Sequence, residues 1–297
     1  MMKKTYILKI MLFVVGFALL LYVTVFRHNP YLQFRSGYYI RLEGYVETRS
    51  PAILLGDSHA AIIPQEYLPP DVYNLSYGSD GIQEMFVKVQ FAFHHNPGLK
   101  TVFLSVDDQM FSLYREGINN QEIIDEIRQS KFEITKNRLF NMRKWPVFNR
   151  NVYVFIRRNI IQWFAHDIFE KKGLYVSKDK EIESAVPIQL KAKQRVEDQI
   201  RGISQKSIET YRLLIQFCSQ RGAKVVGVQF PVSPDFYQYA DIMQLERIED
   251  ARKSLLLSEI LNYRDIFQEK SYFIDIDHLS DEGLKAFQGS LRTINKE

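Results

Sequence analysis

The chain has one cysteine, Cys218, which excludes an intrachain disulfide and leaves the redox compartment open. It sits in an apolar helical pattern, Tyr211 to Cys218, where buried packing is the expected role. Strong net charge is also missing. A formal +4 over 297 residues gives no argument for nucleic acid, and none is expected as a partner. Neither an internal repeat nor a low-complexity tract is present, which excludes solenoid and linker-rich architectures. No Gly-Asn-His or Gly-His-x-His block gathers Asp57, His59, Asp107, Asp108 and His278 with metal-ligand spacing, so no metal site is expected. Acidic residues vanish from one stretch, 136–158. It carries Lys136, Arg138, Arg143, Lys144, Arg150, Arg157 and Arg158, with Phe140, Trp145, Phe148, Tyr153 and Phe155 between them.

A composition that is 46% hydrophobic and 25% charged supports one domain with a sizeable core. Tyr6 to Phe26 is almost wholly apolar, broken by Lys9, and is about long enough to cross a bilayer as a helix. Lys3 and Lys4 precede it, which favours a cytoplasmic N-terminus. No small-x-small cleavage site follows the apolar run, so residues 1–27 read as an uncleaved anchor rather than a removed signal. Residues 28–50 read as a linker or first helix, and 51–297 as the body.

Strands and helices alternate along the body. Ile53 to Leu55 reads as the first strand and Asp71 to Ser76 as the second, with a helix from Ile82 to His94. Thr101 to Val106 is a third strand. Ile203 to Arg221 is a helix ending at Gly222, and Ala223 to Pro231 is the fourth strand. Asp241 to Tyr263 reads as a charged helix, and Tyr272 to Ile274 as the last strand. The segment of about 112–202 is too long for one crossover and reads as a helical insertion. This order predicts an α/β fold with a mostly parallel sheet and a site at the strands' C-terminal edge.

Two short blocks carry the chemistry. Gly56-Asp57-Ser58-His59 follows the first strand, where a serine before a helix presents its hydroxyl to a crevice. Near the other end stands Asp275-Ile276-Asp277-His278-Leu279-Ser280-Asp281-Glu282-Gly283. A serine needs a general base, and that base needs a partner to hold its tautomer. An aspartate three residues before a histidine can fold back so that its carboxylate meets Nδ1 while Nε2 faces the serine. Ser280 is placed to cap a closing helix, with Asp281 and Glu282 in its first turn.

Together the Gly-Asp-Ser and Asp-x-x-His-Leu-Ser-x-x-Gly patterns resemble the SGNH (GDSL-type) hydrolase superfamily. The resemblance implies a three-layer α/β/α sandwich with Ser58 as nucleophile, His278 as base and Asp275 as its orienter. It also implies an oxyanion hole formed by the backbone N–H groups of Ser58 and a glycine after the second strand. Gly78 is the first candidate for that glycine and Gly81 the second. No cofactor is implied. The chain departs from the superfamily after the third strand, where Asp107-Asp108-Gln109 replaces the usual Gly-x-Asn-Asp block and its side-chain oxyanion donor. An ionised aspartate there would repel developing negative charge, unless Gln109 or a backbone group takes over.

The anchor and the altered third block are similar to membrane-anchored members that O-acetylate alginate or transfer D-alanine to teichoic acid. That branch implies a serine-dependent O-acyl transferase or esterase, with acetyl the expected acyl group, acting outside the cytoplasm on a cell-surface polysaccharide. A multi-span membrane acyltransferase would deliver the acyl group. The 136–158 stretch would then meet anionic glycan or lipid headgroups, or simply form a solvated face over an aromatic core. The rival expectation is a membrane-tethered scaffold that kept the fold and lost the oxyanion donor.

Overall fold

A computed structural model of the chain describes residues 6, 11–17, 30–117, 120–133 and 188–292. The basic-aromatic stretch 136–158 and most of the expected insertion lie outside these residues, as does most of Tyr6–Phe26. Residues 11–17 are helical, and among the described residues no helix is long and apolar enough to cross a membrane. The chain divides into two compact units, residues 1–40 with 135–185, and residues 41–134 with 186–297. The α/β body is the second.

Helix α1 (Pro30–Thr48) occupies the segment read as a linker or first helix. Strand β1 (Ala52–Leu55) follows, then the single-turn helix α2 (Ser58–Ala61), β2 (Val72–Asn74), α3 (Ile82–His95) and β3 (Thr101–Ser105). Next come α4 (Gln121–Gln129), α5 (Ile188–Gln199), α6 (Gln205–Ser219), β4 (Lys224–Gln229), α7 (Pro234–Tyr239), α8 (Ile242–Lys253), β5 (Glu259–Asn262) and α9 (Asp281–Leu291). The five strands form one parallel sheet in the order β2-β1-β3-β4-β5. Buried on both faces, β1 is Ala-Ile-Leu-Leu without a polar residue, the pattern of a strand covered on each side.

Ala52, Leu54, Phe103, Val226 and Val228 share one face and pack with Leu284, Phe287 and Leu291 of α9. Ile53, Leu55, Val102 and Leu104 point the other way and are equally buried. Helices α3 and α6 pack on each other, with Phe217 edge-on to Phe86 and Phe93. Cys218 is buried on α6, as its setting suggests.

The last strand differs from the sequence expectation. Tyr272 belongs to a short 3-10 turn, Lys270–Tyr272, and Phe273 pairs only with Leu279 across a small antiparallel bridge. Ile274 is 71% exposed. The fifth sheet position is taken by Glu259–Asn262, within the segment where the sequence pattern predicts one helix from Asp241 to Tyr263. That helix stops at Lys253, and Leu256 turns the chain with φ 52° before β5. The strand was hidden because it lies at the sheet edge and is only half-buried.

Candidate functional site

The strand order runs outward in both directions from β1, so the chain reverses its winding between β1 and β3. A crevice opens there at the strands' C-terminal ends. Ser58 stands at that point, three residues beyond β1. Gly56 lets the chain turn: a Cβ there would lie 2.6 Å from the Cβ of Ala60 and 3.1 Å from that of Ser105. Asp57 caps α2, its carboxylate accepting from the His59 N–H at 3.1 Å.

The other half of the site comes from the loop closed by the Phe273–Leu279 bridge. Asp275 Oδ1 accepts from the N–H groups of Asp277 and His278 at 3.1 and 2.8 Å, the fold-back that an aspartate favours in a tight turn. Both Asp275 oxygens then lie 3.0 Å from His278 Nδ1. With the proton of Nδ1 held on that side, Nε2 accepts from the Ser58 hydroxyl at 2.8 Å, across 220 positions of sequence. Ser280 caps α9 by accepting from the Gly283 N–H at 3.1 Å. The structure therefore brings together Ser58, His278 and Asp275. Burial opposes the charged form of His278, but Asp275 and then Asp277 outweigh it and lift its pKa to about 9.

Comparison with protein-family models and with curated proteins finds no match.

The two candidate glycines separate. Gly81 caps α3, and its N–H donates to Glu84 Oε2 at 3.1 Å, so it is already committed. Gly78 follows β2, and a Cβ built on it would meet nothing within 4 Å. Packing inside the protein does not demand glycine at 78.

The aspartates after β3 do not act as the sequence suggested. Asp107 Oδ1 accepts from the Phe230 N–H at 2.7 Å, and Oδ2 accepts from Ser105 Oγ at 2.8 Å. Asp108 is ion-paired with Arg252 and, at 3.1 Å, with Arg264. Both carboxylates are consumed within the fold, so neither stands as an unpaired charge. Gln109 is buried, its amide 3.3 Å from Asp57 Oδ2 and 2.9 Å from His59 Nδ1, so it is not the replacement donor. Among these three side chains none is left to donate to an oxyanion, so the block itself supplies no side-chain replacement for the missing donor.

Sequence reasoning missed four neighbours. Asp277 is buried, and its Oδ1 lies 3.1 Å from His278 Nδ1. Arg195 on α5 donates to Asp275 Oδ2 at 3.0 Å and lies 2.8 Å from Asp277 Oδ1. Gln199, one turn further on, donates to Asp277 Oδ2 at 2.5 Å. His59 is buried beside Asp57, Asp107 and Asp277, and those carboxylates overcome desolvation and hold its pKa well above the usual histidine range. Asp57 is in turn held low: burial opposes its charge, but His59 and Arg115 prevail, the latter donating at 2.7 Å. The signal for Asp277 was its place directly before His278, and that for His59 its place directly after Ser58. Arg195 and Gln199 gave none.

Ligand-type atoms gather within 4.8 Å in two groups, His59-Asp277-His278 and Asp57-His59-Asp107. Arg195 and Arg115 already bring positive charge against these acids, which opposes an added cation. The arrangement is suited to moving a proton between Ser58 and His278.

Proposed function

We propose that the chain is a serine-dependent O-acyl transferase or esterase. Its setting is extracytoplasmic and membrane-anchored, and its substrate is a cell-surface or exported polysaccharide. The observation that carries this is the continuous hydrogen-bonded line from Ser58 Oγ through His278 to the Asp275 carboxylate. Ser58 Oγ attacks the acyl carbon while its proton passes to His278 Nε2. His278 returns that proton to the departing group, leaving an ester on Ser58. In the second half-reaction His278 takes a proton from a sugar hydroxyl, or from water, whose oxygen attacks the ester, and His278 Nε2 returns that proton to Ser58 Oγ as the acyl–serine bond breaks. Asp275 stabilises the imidazolium in both halves. The N–H groups of Ser58 and Gly78 receive the oxyanion, and the open space at Gly78 suits the approach of an outside group.

The SGNH-like three-layer form is supported by the parallel sheet covered on both faces. The anchor is supported by the apolar run from Tyr6 to Phe26, of which Met11 to Val15 and Phe17 are helical and more than half exposed. Its two preceding lysines favour a cytoplasmic N-terminus, which supports a body in the periplasm or outside the cell. Acyl transfer on that side requires delivery across the membrane, hence a multi-span membrane acyltransferase as partner and a cell-envelope polymer as acceptor. The 136–158 stretch supplies cations and aromatics for such a polymer or for lipid headgroups.

The test is labelling of the full chain by a fluorophosphonate, together with hydrolysis of an acetyl ester. Both are expected in the wild type and absent in Ser58→Ala. Activity retained in Ser58→Ala overturns the serine mechanism.

A further inference from the structure

Two carboxylates, not one, face His278 Nδ1. Asp275 is about one-third exposed and shared with Arg195, whereas the Asp277 side chain is 1% exposed. Behind Asp277 lies a second imidazole: His59 Nε2 is 3.6 Å from Asp277 Oδ2, and the two histidine rings meet edge to face at 5.0 Å. The far side of His59 is also acidic, with Nδ1 3.3 Å from Asp107 Oδ2 and 3.6 Å from Asp57 Oδ1. Asp107 is fixed by the Phe230 N–H and Ser105 Oγ, so the line ends on the sheet itself. From the opposite side α5 holds Asp277 through Gln199 and Arg195.

We propose that Asp277 is a second carboxylate partner of His278. In this proposal His59 is a positioning residue that acts through Asp277, extending the Ser58–His278 pair into a buried line ending at Asp107. The inference rests on the function proposed above. An ion network that served only stability would be indifferent to which acid touches His278. Of the two acids that touch it, Asp277 is the better buried, with Gln199, Arg195 and His59 around it. Arg195 stands against both acids, so burial is what separates them: desolvation strengthens the pull of Asp277 on the imidazolium, while solvent weakens that of Asp275. The groups facing His278 are Asp275, Asp277, Arg195 and His59. Those facing His59 are Asp57, Asp107, Asp277, Gln109 and His278, and Arg115 stands beyond Asp57.

Opposite signs make the proposal testable. Removing the Asp277 charge lowers the proton affinity of His278. Removing the His59 charge raises it, because His59 opposes protonation of its neighbour. The experiment follows the His278 imidazole by NMR in the ring-labelled full chain, and the fluorophosphonate labelling rate, both against pH. Asp277→Asn is expected to move the His278 midpoint to lower pH, and His59→Gln to move it to higher pH. Asp275→Asn and Asp277→Asn are each expected to keep part of the labelling rate, with the double variant falling to the Ser58→Ala background.

Midpoints unmoved in both Asp277→Asn and His59→Gln overturn the proposal. So does Asp275→Asn alone reaching background while Asp277→Asn labels like wild type. Thermal unfolding identifies a variant that does not fold; should Asp277→Asn be one, the shift in His59→Gln decides. Midpoints that move as stated in a wild-type chain that the phosphonate never labels would sustain the two-carboxylate arrangement and reject the serine chemistry.

Discussion

Two acidic pairs stand at the same edge of the sheet and do opposite things. Asp107 and Asp108 follow β3 and are turned inward, onto a backbone N–H, a serine hydroxyl and two arginines. Asp275 and Asp277 lie on a loop outside the sheet and both face the imidazole of His278. Residue type is shared, and what differs is the surrounding demand. Beside β4 and α8, a carboxylate is needed to satisfy Phe230 and to neutralise the buried Arg252. Beside His278, Asp275 closes its own turn, Asp277 accepts from Gln199 and Arg195 lies against both, yet each keeps an oxygen within 3.1 Å of the ring. An aspartate in a family-motif position is therefore judged by what competes for its oxygens, not by its place in the motif.

The contrast can be broken by experiment. The largest effect is expected on the loop side. His278→Gln should cut fluorophosphonate labelling and ester turnover by on the order of 10⁴–10⁶-fold, and near neutral pH it should also lower thermal stability by removing the cation beside Asp275 and Asp277. Labelling and turnover that survive His278→Gln would place His278 with the structural pair. Next comes Asp108→Ala, which takes from the buried Arg252 one of its two acidic partners, Glu249 being the other, and from Arg264 its ion pair. It should cost about 3–5 kcal/mol in denaturant unfolding, while turnover per folded molecule stays within about tenfold of wild type. Asp107→Asn keeps the shape and loses acceptor strength, for a cost of about 1–3 kcal/mol by the same measurement. A turnover loss beyond its stability loss would tie Asp107 to the chemistry through His59.

The smallest effect is one of shape. His278 must be neutral to accept the serine proton, so the labelling rate should rise with pH and level off above about 9. The stability sign runs the other way. Its folded pKa is raised, so the contribution of His278 is complete below its unfolded value of about 6.5. That contribution is lost as pH climbs through about 9. Rate and stability should cross in that window, read by labelling and by thermal unfolding over the same buffers.

Much of this was legible in the sequence because the decisive features are local. Gly56-Asp57-Ser58 marks a strand end by apolar residues giving way to turn formers, and Ser280 announces a helix by its hydroxyl. Asp275 and His278 meet because three residues of loop suffice to join them. What remained hidden depends on distance along the chain. Asp277 and Asp275 both lie within reach of the ring, and only the burial of one tells them apart. Arg195 and Gln199 sit 80 and 78 positions before their partners, so periodicity places them on one helix face and says nothing of what meets it. Strand β5 was lost for a related reason. Its four residues lie at a half-wet edge, and only pairing with β4 makes them a strand.

Gly283 sets the final condition. A Cβ on it would fall 2.1 Å from the carbonyl oxygen of Tyr272, so α9 presses directly on the stem of the histidine loop. The base is thus clasped by a helix made more than 220 residues after the serine. A growing polypeptide can form β1 early, but Ser58 has no imidazole beside it until the stretch through α9 has been made and docked.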